Sequence, residues 1–181
     1  MIIFDLDGTL ADCSHRRHFI QNPYGENDPG IDRCDCSDSD CICEKWAKWK
    51  PDWTAFYEAC DQDLPIMPTI QMLHIFVSQR IEIEIWSGRS DIVKQKTIDW
   101  IVKHIFKGND LILPKIRMRP HGDYTPDEQL KEKWLEATYE EYKWGRRTPI
   151  ECVFDDRPKV LRMWQSHGIF TFDVGQGIGE F

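Results

Sequence analysis

The stretch Phe4-Asp5-Leu6-Asp7-Gly8-Thr9-Leu10 follows the apolar run Met1-Ile2-Ile3, and it sets two carboxylates two residues apart. A short apolar run ending at an acidic residue reads as a buried strand whose carboxyl end faces a ligand. Two carboxylates there can divide the work of phosphoryl transfer. One attacks phosphorus while the other hands a proton to the leaving group. Gly8 allows the tight turn that keeps both in one pocket. The plainer alternative is an acidic turn that merely ends a strand.

Outward from this stretch, short apolar runs alternate with helical patterns, which predicts an α/β fold with a mainly parallel sheet. Ile81 to Trp86 alternates apolar with polar residues and predicts a strand with one polar face. Further strands are expected at Leu111–Met118, Ile150–Phe154 and Ile169–Phe172. Trp53, Phe56, Tyr57 and Cys60 share one helical face; Ile70, Leu73 and Val77 share another. Ser90 or Asp91 can cap a helix whose apolar face includes Val93, Thr97, Trp100, Ile101 and His104. Thr125-Pro126-Asp127-Glu128 is a capping box with proline at the first helical position, and Leu130, Trp134 and Ala137 continue its expected buried face. Between about His15 and Cys43 the rhythm breaks, with Asn22-Pro23, Gly25 and Pro29-Gly30.

Three more strings carry chemistry. Val153-Phe154-Asp155-Asp156-Arg157 again ends a strand on carboxylates; with Asp5 these would form a hard oxygen site suited to Mg²⁺. A helix cap is the alternative for the pair alone. Trp86-Ser87-Gly88-Arg89-Ser90 offers a hydroxyl, backbone N–H groups and a planar guanidinium for an anion, or else an ordinary cap. Asp127 and Lys131 lie four apart on one helical face. They are either a surface pair worth a few tenths of a kcal/mol, on the order of 0.3, or an aspartate steadying a lysine that neutralises nucleophile and phosphate. Lys115 and Lys133 are rival lysines.

These strings, in this order, resemble the haloacid-dehalogenase (HAD) phosphatase superfamily. The resemblance implies a Rossmann-like parallel sheet flanked by helices, with a small cap inserted after the first strand. It makes Asp5 the nucleophile, forming an aspartyl-phosphate, Asp7 the general acid and base, and Lys131 the third catalytic group. It implies Mg²⁺ held by Asp5, by the main chain of Asp7, and by Asp155 with Asp156. Thr9, Arg16, Ser87, Gly88, Arg89 and Asp127 become the substrate-binding set. More narrowly the chain resembles the 3′-phosphatase domain of bacteriophage polynucleotide kinase-phosphatases, through Arg16 eleven residues after Asp5, Tyr57-Glu-Ala-Cys-Asp-Gln-Asp63, Ser87-Gly-Arg89, Asp127 to Lys131, and Asp155 through Trp164 to Gly168. No Gly-x-x-x-x-Gly-Lys-[Ser/Thr] loop occurs, and the stretch before Asp5 leaves no room for a kinase domain, so a phosphatase alone is expected.

The domain expectation is one HAD-like unit over 1–181, with a cap insertion at 14–64 that contains a Cys-rich loop at 34–43. Cys34, Cys36, Cys41 and Cys43 either form a reduced surface loop or hold a structural Zn²⁺, though the spacing is tighter than usual for zinc. Trp46 and Trp49, with Lys45, Lys48 and Lys50, either pack a short cap helix or stack on bases.

The 181 residues carry 23 Lys+Arg against 31 Asp+Glu, a net charge of −8, which excludes a general polyanion binder and leaves local contact with a phosphorylated end. No run approaches the length of a membrane span, and the amino terminus lacks a signal-peptide pattern, so a cytoplasmic protein with no protein partner is expected. The sequence therefore reads as a Mg²⁺-dependent phosphomonoesterase acting on nucleic-acid 3′-phosphate ends. A nucleoside monophosphatase and a zinc-stabilised binding module without catalysis remain as alternatives.

Overall fold

A computed structural model describes residues 1–23, 45–46, 48–107, 113–142 and 149–175. Its centre is a five-stranded sheet of β1 (Ile2–Phe4), β4 (Ile83–Ser90), β5 (Lys115–Arg119), β6 (Cys152–Asp155) and β7 (Phe170–Asp173). All pairings are parallel, in the order β5-β4-β1-β6-β7. β1 is central: Phe4 lies in register with Ile85 on one side and Phe154 on the other. β2 (Ala11–Asp12) and β3 (Leu64–Pro65) form a separate antiparallel ribbon.

Helices cover both faces of the sheet, as its apolar strands require. On one face Ile2, Phe4, Ile85 and Phe154 pack with Ile70 and Leu73 of α2 (Met67–Ser78) and with Trp100 and Ile101 of α3 (Lys94–His104). On the other, Met1, Ile3, Trp86 and Val153 meet Leu135 of α4 (Asp127–Tyr142) and Val160, Met163 and Trp164 of α5 (Pro158–Ser166). Consecutive β1 residues feed opposite cores, the period-two signature of a strand. α1 (Trp53–Glu58) lies outside these layers and is capped by Asp52, whose carboxylate accepts from the Ala55 N–H at 2.9 Å. Pro158 opens α5, and Gly168, at φ +71°, follows its end. Among the described residues no helix is long and apolar enough to cross a membrane.

Two readings from the sequence change. β4 runs from Ile83 to Ser90, and its expected polar face is buried. With helices packed on both faces of the sheet, the strand has no solvent side. Glu84 is kept there by the Trp86 indole N–H (2.7 Å), Arg117 (3.2 Å) and Lys115 (3.5 Å). On α4, Ala137 is exposed and Trp134 half-buried; the inward stripe is Leu130, Lys131, Leu135 and Thr138. The helix is rotated so that a lysine points in.

Trp164 is fully buried, 5.4 Å from the Trp86 ring. Trp164→Ala is expected to cost about 3–5 kcal/mol in urea unfolding, as large-to-small core changes do; a loss below about 1 kcal/mol would contradict this packing.

Candidate active site

The loops beyond the carboxyl ends of β1, β4 and β6, with the first turns of α4, bring the acidic strings together. Asp5 leaves β1, Asp155 closes β6, and both are buried. One carboxylate oxygen each from Asp5, Asp155 and Asp156 lie within 4.8 Å of one another. Lys131 reaches into this cluster from α4. Its ammonium donates to Asp5 Oδ1 at 2.6 Å and to Asp155 Oδ2 at 2.8 Å, and Asp127 Oδ2 lies 3.3 Å away. The Asp127–Lys131 pair is therefore buried, not a surface i,i+4 pair. Lys115 and Lys133 serve elsewhere, on Glu84 and on the Thr125 hydroxyl.

Glycines make this density possible. Gly8, at φ +82°, turns the chain after Asp7, and a Cβ there would sit 2.0 Å from Asp156 Oδ2. A Cβ on Gly88 would sit 2.4 Å from Asp127 Oδ1. Neither position tolerates a side chain without displacing a carboxylate.

Electrostatics divide the site into two layers. In the first, burial drives the Asp5 carboxyl well above its ordinary value; Lys131 pulls it down, while Asp155, Asp156 and Asp127 push it further up. Burial and then Asp155 lift Asp156 to about 7. Burial works against the Lys131 charge, yet Asp127, Asp155 and Asp5 outweigh it and hold the ammonium protonated far above its usual range. Among the described residues, the cations paired with or acting on the four carboxylates Asp5, Asp127, Asp155 and Asp156 are Lys131, Arg119 and Arg157, one fewer than the carboxylates. Asp156 Oδ1 is buried without a hydrogen-bond partner among the described residues. An oxygen-rich, under-neutralised cluster with an orphaned carboxylate oxygen fits a hard divalent cation.

The second layer is balanced. Asp7 Oδ1 accepts from Arg16 Nη2 at 2.6 Å and from Arg89 Nη2 at 2.5 Å, and Arg89 Nε bridges both Asp7 oxygens at 2.9 and 3.0 Å. Both guanidiniums continue to Asp63. Arg16 Nε and Nη2 donate to it at 2.7 and 2.8 Å, Arg89 Nη2 also donates, and His15 Nε2 lies 2.9 Å from Oδ1. Burial alone would raise the Asp7 carboxyl, but Arg89 and Arg16 outweigh it and hold it below the ordinary range. The Phe56 ring lies 4.1 Å beneath the Arg16 guanidinium.

The remaining expected residues lie close by. Ser87 is buried, its hydroxyl accepting from the Arg89 N–H at 3.2 Å, and the Thr9 hydroxyl is buried without a partner. Arg16 and Arg89 are fully buried and engaged with carboxylates. Cys34, Cys36, Cys41 and Cys43 lie outside the described residues. Three members had no assigned role in the sequence reading. Asp63 stands in the quoted Tyr57–Asp63 string, but nothing local ties it to Asp7. Arg119 extends Nη2 to Asp127 at 3.2 Å, and Arg157 lies 3.6 Å from the same carboxylate. An exposed strand end and the residue after an aspartate pair were the only signals for these two.

A cavity of about 350 Å³ opens onto Asp5, Asp7, Gly88, Arg119, Asp127 and Arg157. Solved structures share this parallel-sheet fold. A hydrolase from Streptococcus pneumoniae TIGR4 superposes with a TM-score of 0.51 at 14% identity, over 94% of this chain and 90% of that one. A chain in the "Structure of Pnkp1/Rnl/Hen1 complex" superposes with a TM-score of 0.62 at 22% identity, over 99% of this chain and 46% of that one. At these identities the likeness is one of fold. Residues 53–180 match the family described as HAD_PNKP, polynucleotide kinase PNKP phosphatase domain, and the chain belongs to that family. The match begins after Asp5, Asp7 and Arg16. A protein of Autographa californica nuclear polyhedrosis virus, named "Putative bifunctional polynucleotide kinase/RNA ligase", is 42% identical over 96 residues, 52% of this chain. This chain spans only 12% of that relative's length.

Asp63→Ala is expected to cost about 3–5 kcal/mol in chemical unfolding, because two buried guanidiniums lose a carboxylate. A cost within about 0.5 kcal/mol, the range of ordinary surface substitutions, would mean that Asp63 does not hold them.

Proposed function

We propose that the protein is a Mg²⁺-dependent phosphomonoesterase working through an aspartyl-phosphate on Asp5, with nucleic-acid 3′-phosphate ends as substrate. The observation that carries this reading is the convergence of Asp5, Asp155 and Asp156 within 4.8 Å around the Lys131 ammonium. The family's description as a polynucleotide kinase phosphatase domain supports a polynucleotide substrate. Asp5, Asp155 and Asp156 would hold Mg²⁺, which when bound supplies charge neutralisation for the phosphoryl oxygens.

Asp5 attacks phosphorus in line; the new P–O bond forms as the bond to the leaving oxygen breaks. Lys131 neutralises Asp5 before attack and the phosphoryl oxygens after it, a preorganised charge that needs no reorientation. Asp7 gives its proton to the leaving oxygen. In the free site two guanidiniums hold Asp7 ionised; the negative phosphate arriving beside it raises its proton affinity, so Asp7 takes up that proton from solvent as substrate binds. In the second half Asp7 takes a proton from water, whose oxygen attacks the aspartyl-phosphate and restores Asp5. Arg16 and Arg89 fix Asp7 in the geometry both transfers need and are themselves fixed by Asp63.

Residues 14–64 serve as a cap over this site. Trp53, Thr54, Phe56 and Tyr57 of that segment line the same cavity as Asp5 and Asp7, which supports the reading. The cytoplasm is the proposed setting, since Cys13, Cys60 and Cys152 are all unpaired thiols.

Asp5→Asn is expected to lower phosphate release from a 3′-phosphorylated oligonucleotide in Mg²⁺ by about 10⁴-fold or more, the scale seen when a nucleophile is removed, with the thermal melt unchanged. Turnover within about tenfold of wild type would remove the covalent route. Chelation should silence the wild-type enzyme and added Mg²⁺ restore it. Faster release from free mononucleotides than from oligonucleotides would make this a nucleotidase.

A further inference from the structure

We propose that Trp53 and Tyr124 form the seat of the terminal nucleobase, making the site selective for ends whose last base is present. This inference rests on the polynucleotide reading above and names the groups that read the substrate beyond its phosphate.

The cavity at Asp5 and Asp7 has two characters. Its charged side chains Asp5, Asp7, Asp127, Arg119 and Arg157 are the more buried part of the lining; its outer part carries the rings of Trp53, Tyr57 and Tyr124 with Ile92 and Pro120, beside the polar Thr54, His121 and Asp123. At about 350 Å³ it falls within the range of pockets that enclose whole small molecules, more than a phosphoryl group needs. Charge in the more buried part and rings in the outer part match a nucleotide, which joins a phosphate to a flat apolar base.

The two rings are presented by held backbone. Trp53 stands at the start of α1, and its ring meets Phe56 edge-on at 5.7 Å and Tyr57 at 6.0 Å. Those neighbours anchor one side of the indole, yet the residue stays 41% exposed. Phe56 itself is already covered by Arg16. Tyr124 is 88% exposed, and its ring and hydroxyl have no partner among the described residues. Its loop is nevertheless braced. Arg119 Nη1 donates to the carbonyls of Asp123 (3.3 Å) and Thr125 (2.5 Å), and the His121 N–H donates to Asp91 at 2.8 Å. The Asp123 N–H closes a turn onto Pro120 at 3.0 Å. A tyrosine held in water at the mouth of a phosphate cavity gains most when a planar partner covers it.

The test compares two oligonucleotides of equal length and charge, one ending in an ordinary nucleotide 3′-phosphate and one in an abasic 3′-phosphate. Wild-type enzyme should favour the base-bearing end. Trp53→Ala and Tyr124→Ala should each raise KM for that end by about 5- to 100-fold, the range that loss of one stacking contact gives. Their kcat should stay within about twofold of wild type and their kinetics at the abasic end unchanged, because stacking binds ground and transition states alike. Trp53→Phe and Tyr124→Phe should keep most of the preference. Equal kinetics of wild type on both ends, or a loss in the alanine variants that is the same on both, would overturn the proposal while leaving the phosphatase reading intact. If wild-type enzyme releases phosphate from neither oligonucleotide but does so from a small phosphomonoester, the polynucleotide reading fails and this one falls with it.

Discussion

One ammonium group ties the active end of this molecule together. Lys131 comes from α4, Asp5 from the end of β1 and Asp155 from the end of β6, and they meet within hydrogen-bond distance with all three side chains buried. Desolvating these charges is expensive, and only close geometry with every partner in place offsets it. The position of α4 over the sheet, the rotation that hides a lysine while exposing Ala137, and the bare backbones of Gly8 and Gly88 all serve that geometry.

Around this centre the charges are sorted by task. Asp7 and Asp63 balance Arg16 and Arg89, forming a lattice of paired charges. The carboxylates of Asp5, Asp155 and Asp156 are under-neutralised and keep an orphaned oxygen. The first arrangement is rigid and balanced; the second is rigid and incomplete. A site built for charge that arrives during a reaction needs both, since fixed dipoles act best when they do not have to move.

The sequence revealed most where function is local. Asp5-Leu6-Asp7-Gly8 and Asp155-Asp156 each sit in a contiguous string at a strand end, so their meeting could be expected from strand order alone. Asp127 and Lys131 were legible as a pair because helical spacing put them on one face, but not as buried. Asp63 was hidden because it acts across the fold: its partners are 26 and 47 residues away. Glu84 misled for a related reason. Alternation in Ile81-Glu-Ile-Glu-Ile85 looks like a strand with a wet side until the helices α4 and α5 cover that face. Local patterns report periodicity, whereas burial depends on which neighbours arrive.

The ribbon of β2 and β3 has a wider meaning. The chain leaves this ribbon at Ala11–Asp12 and returns to it at Leu64–Pro65, so both ends of the excursion are pinned side by side. Arg16 and Asp63, just inside those ends, clasp each other. Because the cost of closing a loop grows only slowly with its length, what lies between can be lengthened, shortened or exchanged without disturbing the reacting groups. The excursion is thus separable by inheritance: the clasp lets evolution redraw it as one cassette while the carboxylates and lysine at the strand ends stay still.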